Sequence, residues 1–426
     1  MRDASFARPA LPQFLPPQSH RTVAVLGSTG SIGTQALELM ARNPERFSVG
    51  ALAAGNNWEL LAEQAVATRA PLIGLANSDP AALEARIAEL AAQTGIDYRP
   101  QIICGEHAAA EVAAAEHCNV LLNGMTGSIG LLPTLAGLES GKLVALANKE
   151  SLIVGGALVK AAAAPGQLIP VDSEHSAIAQ CLWGGTSAEV RALILTASGG
   201  PFRGYTAEQL AAVSPADALD HPVWKMGKVI TTNSATLVNK ALEVVEAHLL
   251  FDVPLEDCRV VVHPEHLIHS MVEFTDGAVL AQISQPDMRL PIALGIGWPE
   301  RIPAAVSPLS FAESMNWHFE PVDHQTFPAI TLARQAAASS ATHMAVYNAA
   351  NEEAVHAFHD GLIKFPEIVA TVTRVVEQHD GVPAERVSLD DVLAAERWAR
   401  TACRTLMGQP SNPDQLTTSL NVGKQN

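Results

Sequence analysis

A glycine-rich turn between the first apolar segment and the first helical pattern constrains the fold of this chain more than any other feature. Residues 22–26 are apolar, Gly27-Ser28-Thr29-Gly30-Ser31-Ile32-Gly33 follows directly, and a helical pattern then runs to near Asn43. Glycines permit a tight turn and a close approach to a pyrophosphate, while the helix N-terminus offers unpaired N–H donors. This order predicts a dinucleotide site; a plain tight turn between strand and helix is the alternative.

Apolar segments typical of buried strands alternate with alanine-rich helical patterns over the first third of the chain. The predicted strands cover residues 22–26, 49–52, 72–75, 101–104, 120–123 and 143–147. Such alternation favours a parallel sheet with right-handed helical crossovers on both faces. The N-terminal part is therefore predicted to be a Rossmann-like, doubly wound α/β domain.

The residues after the second predicted strand indicate which dinucleotide binds. NAD sites usually place an acidic residue there, on the ribose 2′-hydroxyl. Here the strand runs into Gly55-Asn56-Asn57, with no carboxylate to repel a 2′-phosphate. The sequence therefore favours NADP over NAD, the alternative being that these three residues only form a turn.

The pattern changes after Pro165. Strands are predicted at residues 167–171, 192–196, 259–262 and 278–284, with one clear helix at residues 235–250. These elements predict a central α+β catalytic domain. Four helical patterns, at residues 329–340, 345–360, 365–378 and 389–406, then predict a C-terminal helical bundle.

Six regions follow from these patterns. They are a flexible extension at residues 1–20, a dinucleotide-binding domain at 21–165, a catalytic domain at 166–300 that includes a lid at 203–228, a proline-punctuated connector at 301–328, a helical domain at 329–408 and a flexible tail at 409–426.

Three carboxylates form a candidate metal site. Asp172 and Glu174 come directly after a predicted strand, and the carboxyl ends of such strands face the ligand crevice. Glu243 lies on the predicted helix, on one face with Asn239 and Lys240. Three hard oxygen ligands suit Mg²⁺ or Mn²⁺. The alternatives are helix-capping acids for the first two residues and a solvated ion-pair face for the third. Single histidines such as His221, His263 and His269 are more often structural than ligands.

A second glycine turn is a candidate phosphate site. Ser198-Gly199-Gly200 follows a predicted strand, and adjacent glycines can turn successive N–H groups towards an anion. Ser234, Asn239 and Lys240 can complete the site. The loop-rich lid segment carries His221 and Trp224, and Trp224 is predicted to cover the substrate; a packed surface loop with a buried tryptophan is the alternative.

Charge and composition exclude several classes of partner. The formal net charge is -17, which repels nucleic-acid phosphates and anionic lipid surfaces. No apolar run approaches the ~18 residues of a membrane-spanning helix. The five cysteines show no metal-ligand spacing and indicate a reducing, cytoplasmic location.

Five ordered motifs between about Arg21 and Leu406 closely resemble the 1-deoxy-D-xylulose 5-phosphate reductoisomerase family. They are the first glycine turn, Ala147-Asn148-Lys149-Glu150-Ser151, Val171-Asp172-Ser173-Glu174-His175, Ser198-Gly199-Gly200-Pro201-Phe202 and Asn348-Ala349-Ala350-Asn351-Glu352. The resemblance implies conversion of 1-deoxy-D-xylulose 5-phosphate to 2-C-methyl-D-erythritol 4-phosphate in the non-mevalonate isoprenoid pathway, with NADPH and a divalent cation, by a homodimer.

The resemblance also implies roles for individual residues. The metal ligands would be Asp172, Glu174 and Glu243, which together with Lys149 form the catalytic set. The substrate residues would be Lys149, Ser173, Glu174, Ser198, His221, Trp224, Ser234, Asn239, Lys240 and Glu243. The cofactor residues would be Thr29, Gly30, Ser31, Ile32, Gly55, Asn56, Asn57, Asn148, Glu150 and Gly227.

Some positions depart from common family usage, and two other functions remain open. Asn56 replaces a frequent basic residue, Asn233 a frequent Asp and Val229 a frequent Lys. Another NADP-linked sugar or semialdehyde dehydrogenase explains the first domain but not the three acids with a phosphate loop. A non-catalytic scaffold of the same fold is expected to have lost acids or lysines from the site, and all are present.

Overall fold

The computed structural model describes residues 19–77, 79–220 and 227–409. Two sheets and a set of C-terminal helices make up this part of the chain, as the sequence predicts. None of its helices combines the length and the apolar character that crossing a bilayer requires.

The first sheet is parallel and has seven strands in the order β4-β3-β2-β1-β5-β6-β7. Its strands are β1 Arg21–Leu26, β2 Phe47–Ala54, β3 Leu72–Leu75, β4 Gln101–Cys104, β5 Val120–Asn123, β6 Leu143–Leu146 and β7 Leu168–Pro170. The helices that connect them are α1 Ser31–Ala41, α2 Trp58–Thr68, α3 Pro80–Thr94, α4 Ala108–Ala113, α5 Leu131–Glu139, α6 Lys149–Val154 and α7 Gly156–Ala162. Strands β3, β5 and β6 are buried throughout, because helices cover both faces of the sheet. The predicted doubly wound α/β fold is confirmed.

The seventh strand lies in a different sheet from the one predicted for it. The segment at residues 167–171 was predicted to belong to the central domain, yet β7 pairs in parallel with β6, where Val144 lies opposite Leu168. Helix α12, Arg289–Gly297, also packs on the first sheet through Ile292 and Ile296. Sequence order alone misplaced β7, because an apolar strand carries no mark of the sheet that it joins.

The second sheet has five strands in the order β11-β10-β8-β9-β12. They are β8 Val190–Ala197, β9 Cys258–Val262, β10 Ile268–Phe274, β11 Val279–Ile283 and β12 Glu320–Pro321. Strands β8 and β9 are parallel, and β10 runs antiparallel to both β8 and β11. The sequence analysis missed β10, because His269, Ser270 and Glu273 interrupt its apolar pattern.

Helices next to the second sheet carry most of the candidate site. They are α8 Ser173–Cys181, α9 Ala207–Leu210, α10 Lys228–Ala235 and α11 Val238–Phe251. The single helix predicted at residues 235–250 is wrong at its start. Leu237 has a left-handed φ of 60°, and this reversal separates α10 from α11.

The C-terminal helices are α13 Ala329–Ser339, α14 His343–His359, α15 Phe365–Val376 and α16 Leu389–Leu406. All four agree with the predicted segments. They share one apolar core with the central region, in which Val244 of α11, Leu193 of β8 and Phe358 of α14 are buried together.

The predicted lid segment is partly packed. Leu210 of α9 and Ala218 belong to the same core and are almost inaccessible to solvent. The segment is therefore anchored to the core at these two residues, whereas residues 203–209 are exposed.

Candidate active site

One cleft of about 1990 Å³ joins the predicted metal and phosphate residues with part of the predicted dinucleotide set. Its lining does not include Thr29, Gly55, Asn56, Asn57 or Asn148. Its walls come from the carboxyl-end loops of the first sheet, from α8, α10 and α11, and from α14 and α16. The site therefore lies between the first sheet and the shared core.

The first glycine turn forms one end of the cleft. Gly27 has a φ of 68°, and a Cβ there would lie 2.7 Å from the carbonyl oxygen of Gly124. A Cβ on Gly33 would meet the Gly27 carbonyl at 2.4 Å, so α1 packs directly on the turn. Gly30, Ser31 and Ile32 line the cleft, and therefore the N-terminus of α1 opens onto it.

The residues after β2 lie at the same edge of the sheet, because β1 and β2 are parallel neighbours with Leu26 opposite Ala53. Gly55 is exposed. The side-chain carbonyl of Asn57 accepts a hydrogen bond from the Leu60 amide at 3.2 Å and so caps α2. No acidic residue follows β2 before Glu59. Thr29 and Asn56 lie in these two turns.

Asn148 organises the loops next to the cofactor turn. It is fully buried, and its amide donates to the main-chain oxygens of Met125 and Gly127 at 3.1 and 2.9 Å. The same amide donates to Glu150 at 2.9 Å. Burial raises the pKa of the Glu150 carboxyl above its ordinary value. The Asn148 side chain thus holds the loop from Met125 to Gly127 in place, and Glu150 lines the cleft.

The three predicted carboxylates meet where two helices face each other. Asp172 is the N-cap of α8, Glu174 is in its first turn, and Glu243 is on α11. One ligand oxygen from each of the three lies within 4.8 Å of the other two. Glu174 and Glu243 are almost completely buried.

Two lysines neutralise most of this charge. Lys149 Nζ lies 2.5 Å from Asp172 Oδ2 and 2.7 Å from Glu243 Oε1. Lys240 Nζ donates to Glu174 Oε1 at 2.6 Å and also contacts Glu243. Burial lowers the pKa of Lys149, but Asp172 and Glu243 outweigh burial and hold that pKa well above its ordinary value.

Glu174 remains ionised despite its burial. Burial and the neighbouring Glu243 raise the pKa of its carboxyl, but Lys240 and His266 lower it more, to about 2. The side chain of Ser173 also donates to this carboxylate. Glu174 thus offers charged oxygens, which is the form that a hard cation requires.

The second glycine turn approaches the end of α10. Gly199 and Gly200 have φ values of 85° and 65°, and a Cβ on Gly200 would lie 2.9 Å from the carbonyl oxygen of Ser234. Ser198, Ser234 and Asn239 consequently line the same part of the cleft. The Gly200 amide donates to Ser198 Oγ at 3.2 Å.

Two predicted residues cannot be placed in this arrangement. His221 and Trp224 lie outside the described residues, so their assignment to the substrate stays a prediction. Gly227, the next residue described, is the N-cap of α10 and lines the cleft.

Two histidines that the sequence analysis considered as ligands are not among the metal-ligand groups of the described residues. His263 Nδ1 faces the main-chain oxygen of His318 at 2.9 Å, and its Nε2 accepts from the Leu267 amide. His269 is buried in β10. His263 is therefore a structural residue, held by main-chain hydrogen bonds, as single histidines usually are.

Several residues at the site were given no role in the sequence analysis, although His175 and Glu352 stand in two of the quoted motifs. His175, Glu246 and His266 lie against the three carboxylates, and Glu352 and Arg400 bring the C-terminal helices to the cleft. Glu246 follows Glu243 by three residues and so shares its helix face, which is a usable signal. The pairing of Arg400 with Glu352 is a tertiary contact with no local signal.

Comparison with known proteins finds similarity along most of the chain. A family model described as 1-deoxy-D-xylulose 5-phosphate reductoisomerase matches residues 23–156. Models of the C-terminal domains of the same enzyme match residues 168–251 and 283–402.

Two relatives with this enzyme name are similar over almost their whole length. The Paenarthrobacter aurescens protein is 57% identical over 401 residues, which cover 94% of this chain and 99% of the relative. The Kitasatospora griseola protein is 57% identical over 387 residues, or 90% and 99% of the two chains.

Solved structures agree in fold. The Zymomonas mobilis reductoisomerase in complex with NADPH has a TM-score of 0.82 at 41% identity and covers 91% of this chain and 99% of its own. A reductoisomerase complex with NADPH, fosmidomycin and magnesium has a TM-score of 0.81 at 32% identity, covering 91% and 98%.

Proposed function

The chain belongs to the 1-deoxy-D-xylulose 5-phosphate reductoisomerase family, and from this premise we propose how its own residues perform that reaction. It is an NADPH-dependent enzyme that converts 1-deoxy-D-xylulose 5-phosphate to 2-C-methyl-D-erythritol 4-phosphate in the non-mevalonate isoprenoid pathway. The observation that carries the assignment is the single cleft, in which the glycine turn, the three carboxylates and the Ser198 turn meet.

Asp172, Glu174 and Glu243 hold the divalent cation, Mg²⁺ or Mn²⁺. Burial raises the pKa of the Glu174 and Glu243 carboxyls, but the lysines beside them bring both below the ordinary value. Together with Asp172 they place three oxygens within 4.8 Å of one another, which is the ligand type that a hard dication takes. When bound, the cation acts as a Lewis acid that polarises the oxygens of the substrate. Lys149, held as an ammonium by its carboxylate partners, stabilises negative charge on a substrate oxygen.

The dinucleotide lies along the first glycine turn. Gly27 and Gly33 leave no room for a Cβ, and the N-terminus of α1 supplies N–H donors to the pyrophosphate. NADPH supplies the hydride. Thr29, Gly30, Ser31 and Ile32 contact it from the turn, Gly55, Asn56 and Asn57 from the end of β2, and Glu150 and Gly227 from the far wall. Asn148 is fully buried and does not line the cleft, so it supports the cofactor site through the loop from Met125 to Gly127.

The phosphate of the substrate lies at the second glycine turn. Ser198, Ser234, Asn239 and Lys240 surround that end of the cleft. Ser173 and Glu174 contact the sugar from α8, and His221 and Trp224 from the lid. Lys240 bridges Glu174 and Glu243, so it joins the phosphate and metal ends of the site.

Three regions of the chain contribute different groups to the active site. Residues 21–165 form the NADPH-binding domain, on which β7 and α12 also pack, residues 166–300 supply the metal and substrate groups, and residues 329–408 close the cleft with Glu352 and Arg400. The free thiol state of all five cysteines supports a cytoplasmic location.

The protein is proposed to be a homodimer, formed through the second sheet. Strand β11 is one of the two edge strands of this sheet, and Val279 and Ile283, on one face of that strand, are 48% and 36% exposed. An unpaired strand edge with apolar side chains is typical of an interface.

One assay tests the function. NADPH oxidation is followed with 1-deoxy-D-xylulose 5-phosphate, with Mg²⁺ and with a chelator, and the product is identified by mass and NMR. We expect turnover that the chelator abolishes and that NADH supports less well. Turnover that is indifferent to chelator, or a kcat/KM for NADH that equals that for NADPH, would contradict the proposal and favour another NADP-linked or NAD-linked dehydrogenase.

A further inference from the structure

A histidine and a glutamate lie directly behind the three carboxylates. His175 follows Glu174 on α8, and Glu246 is one turn beyond Glu243 on α11. His175 Nδ1 lies 3.2 Å from Glu246 Oε2 and 3.9 Å from Asp172 Oδ2. Both side chains are at most 1% exposed.

The hydrogen-bond donors and acceptors of the His175 ring indicate the role of Glu246. His175 Nε2 lies 2.8 Å from the main-chain oxygen of Glu243, which can only accept, so Nε2 carries a hydrogen and donates. Nδ1 then faces Glu246 Oε2 at 3.2 Å, and in the part of the chain that the structure describes neither atom forms a hydrogen bond of good geometry with any group. Because a buried polar atom without a partner is costly, the contact between these two groups is favoured.

The ring is also held by packing. His175 stacks on Phe251 with ring centroids 6.5 Å apart and planes 20° apart. The ring therefore has a fixed position between α8 and α11, which carry Asp172 and Glu174 on one side and Glu243 on the other.

We propose that Glu246 is a positioning residue, whose carboxyl group fixes the ring of His175 and thereby keeps Asp172 and Glu243 in the geometry that binds the divalent cation. This inference rests on the proposed metal site. Groups behind metal ligands commonly act in this way, and their loss weakens metal binding about 10- to 100-fold.

A second cation at Asp172, His175 and Glu246 is the competing interpretation, since these groups also lie within 4.8 Å of one another. The burial of His175 and Glu246 opposes it. Asp172, Glu174 and Glu243 line the cleft, whereas His175 and Glu246 are at most 1% exposed and do not line it, so a cation held by them would have no open position for a substrate oxygen.

Matched variants of Glu246 test the inference through Mn²⁺ affinity, measured by electron paramagnetic resonance without substrate. Glu246→Leu removes the polar group, whereas Glu246→Gln can still donate to or accept from Nδ1. We expect Glu246→Leu to weaken Mn²⁺ binding at least tenfold and Glu246→Gln to stay within about threefold of the native protein. NADPH affinity, measured by fluorescence, should be unchanged in both.

Three results would overturn the inference. They are native Mn²⁺ affinity in Glu246→Leu, equal losses of Mn²⁺ affinity in the two variants, and two equivalents of tightly bound Mn²⁺ per chain of the native protein. If Glu246→Leu does not fold, Glu246→Asp replaces it, since its carboxyl is one methylene too short for the 3.2 Å contact and the same weakening is expected. Failure of the proposed function is distinguishable, because the native protein would then bind no Mn²⁺ and show no metal-dependent turnover.

Discussion

Lys149 and Lys240 use the same carboxylate oxygens that a divalent cation requires. Lys149 contacts Asp172 and Glu243, and Lys240 contacts Glu174 and Glu243. Buried carboxylates need such partners, because an unpaired buried charge is strongly destabilising. A cation at the proposed metal site would take these oxygens, so the ammonium groups would lose part of their pairing and become available to the phosphate and oxygens of the substrate. We therefore expect metal binding and substrate binding to be coupled at the level of single residues.

Glu243→Gln should remove this coupling. The variant keeps the shape of the side chain but leaves two carboxylates facing two ammonium groups, so the site no longer attracts a dication. We expect kcat/KM to fall by about 100-fold or more, since the loss of a direct ligand exceeds that of a group behind it. NADPH affinity should stay native, because the glycine turn is unaffected.

Asp172→Asn and Glu174→Gln are companion variants of the same experiment. Each removes one of the other two ligand charges, so similar losses are expected, together with a higher Mg²⁺ concentration for half-maximal rate. Native turnover and native Mg²⁺ response in all three variants would refute the metal site.

Site residues could be predicted from the sequence when their neighbours in the site are also close along the chain. They could not be predicted when only the fold brings them together. Asp172 and Glu174 follow a strand, and Glu243 shares a helix face with Asn239, so spacing alone groups them. His266 reaches Glu174 from the loop before β10, and only the fold brings them together. Spacing also misses Asn148, whose buried amide serves the loop at Met125 and Gly127.

At the scale of elements, two helices of the first sheet end in the same left-handed conformation with different residues. Arg69 ends α2 with a φ of 55°, and Gly95 ends α3 with a φ of 69°. A side chain costs about 1–2 kcal/mol in this conformation, whereas glycine adopts it freely.

A glycine at the first of these helix ends and an alanine at the second should change the free energy of unfolding in opposite directions. Arg69→Gly is expected to raise the free energy of unfolding by about 0.5–1 kcal/mol, because part of the gain is lost to the entropy of the unfolded glycine. Gly95→Ala should lower it by about 1 kcal/mol, since a Cβ there meets no atom within 4 Å and only the backbone strain remains. Urea unfolding measures both, and changes of the same sign would contradict the argument.

The stability of the contact between Glu396 of α16 and Ser128 should depend on pH. Burial raises the pKa of Glu396 to about 7, although the Ser128 hydroxyl and Arg400 act to lower it. A folded-state pKa above the ordinary 4.5 means that this group contributes stability below pH ~4.5, which is lost as pH rises through ~7.

Glu396→Gln removes this titration. Relative to the native protein, the variant should gain roughly 3 kcal/mol of stability between pH 5 and pH 8, at 1.36 kcal/mol per pKa unit. Unfolding midpoints of both proteins in urea at the two pH values provide the measurement. A stability difference between the proteins that does not change with pH would show that Glu396 is an ordinary carboxyl.

Helices and strands with a strong hydrophobic period could be predicted from the sequence. The strands and helices that they pair or pack with could not. The four C-terminal helices and the first six strands lie close to their predicted positions. The break at Leu237 was not predicted, because residues 235–250 have the pattern of one continuous helix and a left-handed leucine has no sequence signal. The sheet that β7 joins is likewise decided by pairing across the molecule.

At the scale of the whole molecule, the catalytic groups depend on a core that several regions share. Val244 of α11, Leu193 of β8 and Phe358 of α14 are buried in one cluster, so the helix that carries Glu243 is supported from both the second sheet and the C-terminal helices. A destabilising change in α14 is therefore expected to reach the metal site through α11, even without contact to a ligand.

The second sheet also provides the surface on which two chains should associate. In β11, residues 279, 281 and 283 point to one face, and all three are exposed and apolar. In the described part of the chain, β10 is the only strand that pairs with β11, so the outer backbone edge of β11 is open to a second copy. Light scattering after size exclusion should give twice the chain mass of 44.9 kDa.

Val279→Lys combined with Ile283→Lys should convert this dimer to monomer, because four like charges would meet across a symmetric interface and no apolar area would offset their desolvation. Leu362→Lys is the matched control, since Leu362 is 58% exposed but lies after α14, away from the second sheet. Circular dichroism should show native helix content in both variants, because none of the three side chains is part of a core. A double variant that still has twice the chain mass, or a Leu362→Lys protein that dissociates, would place the interface elsewhere. The expected result, dissociation confined to the β11 variant, would assign the edge of the second sheet to the contact between subunits.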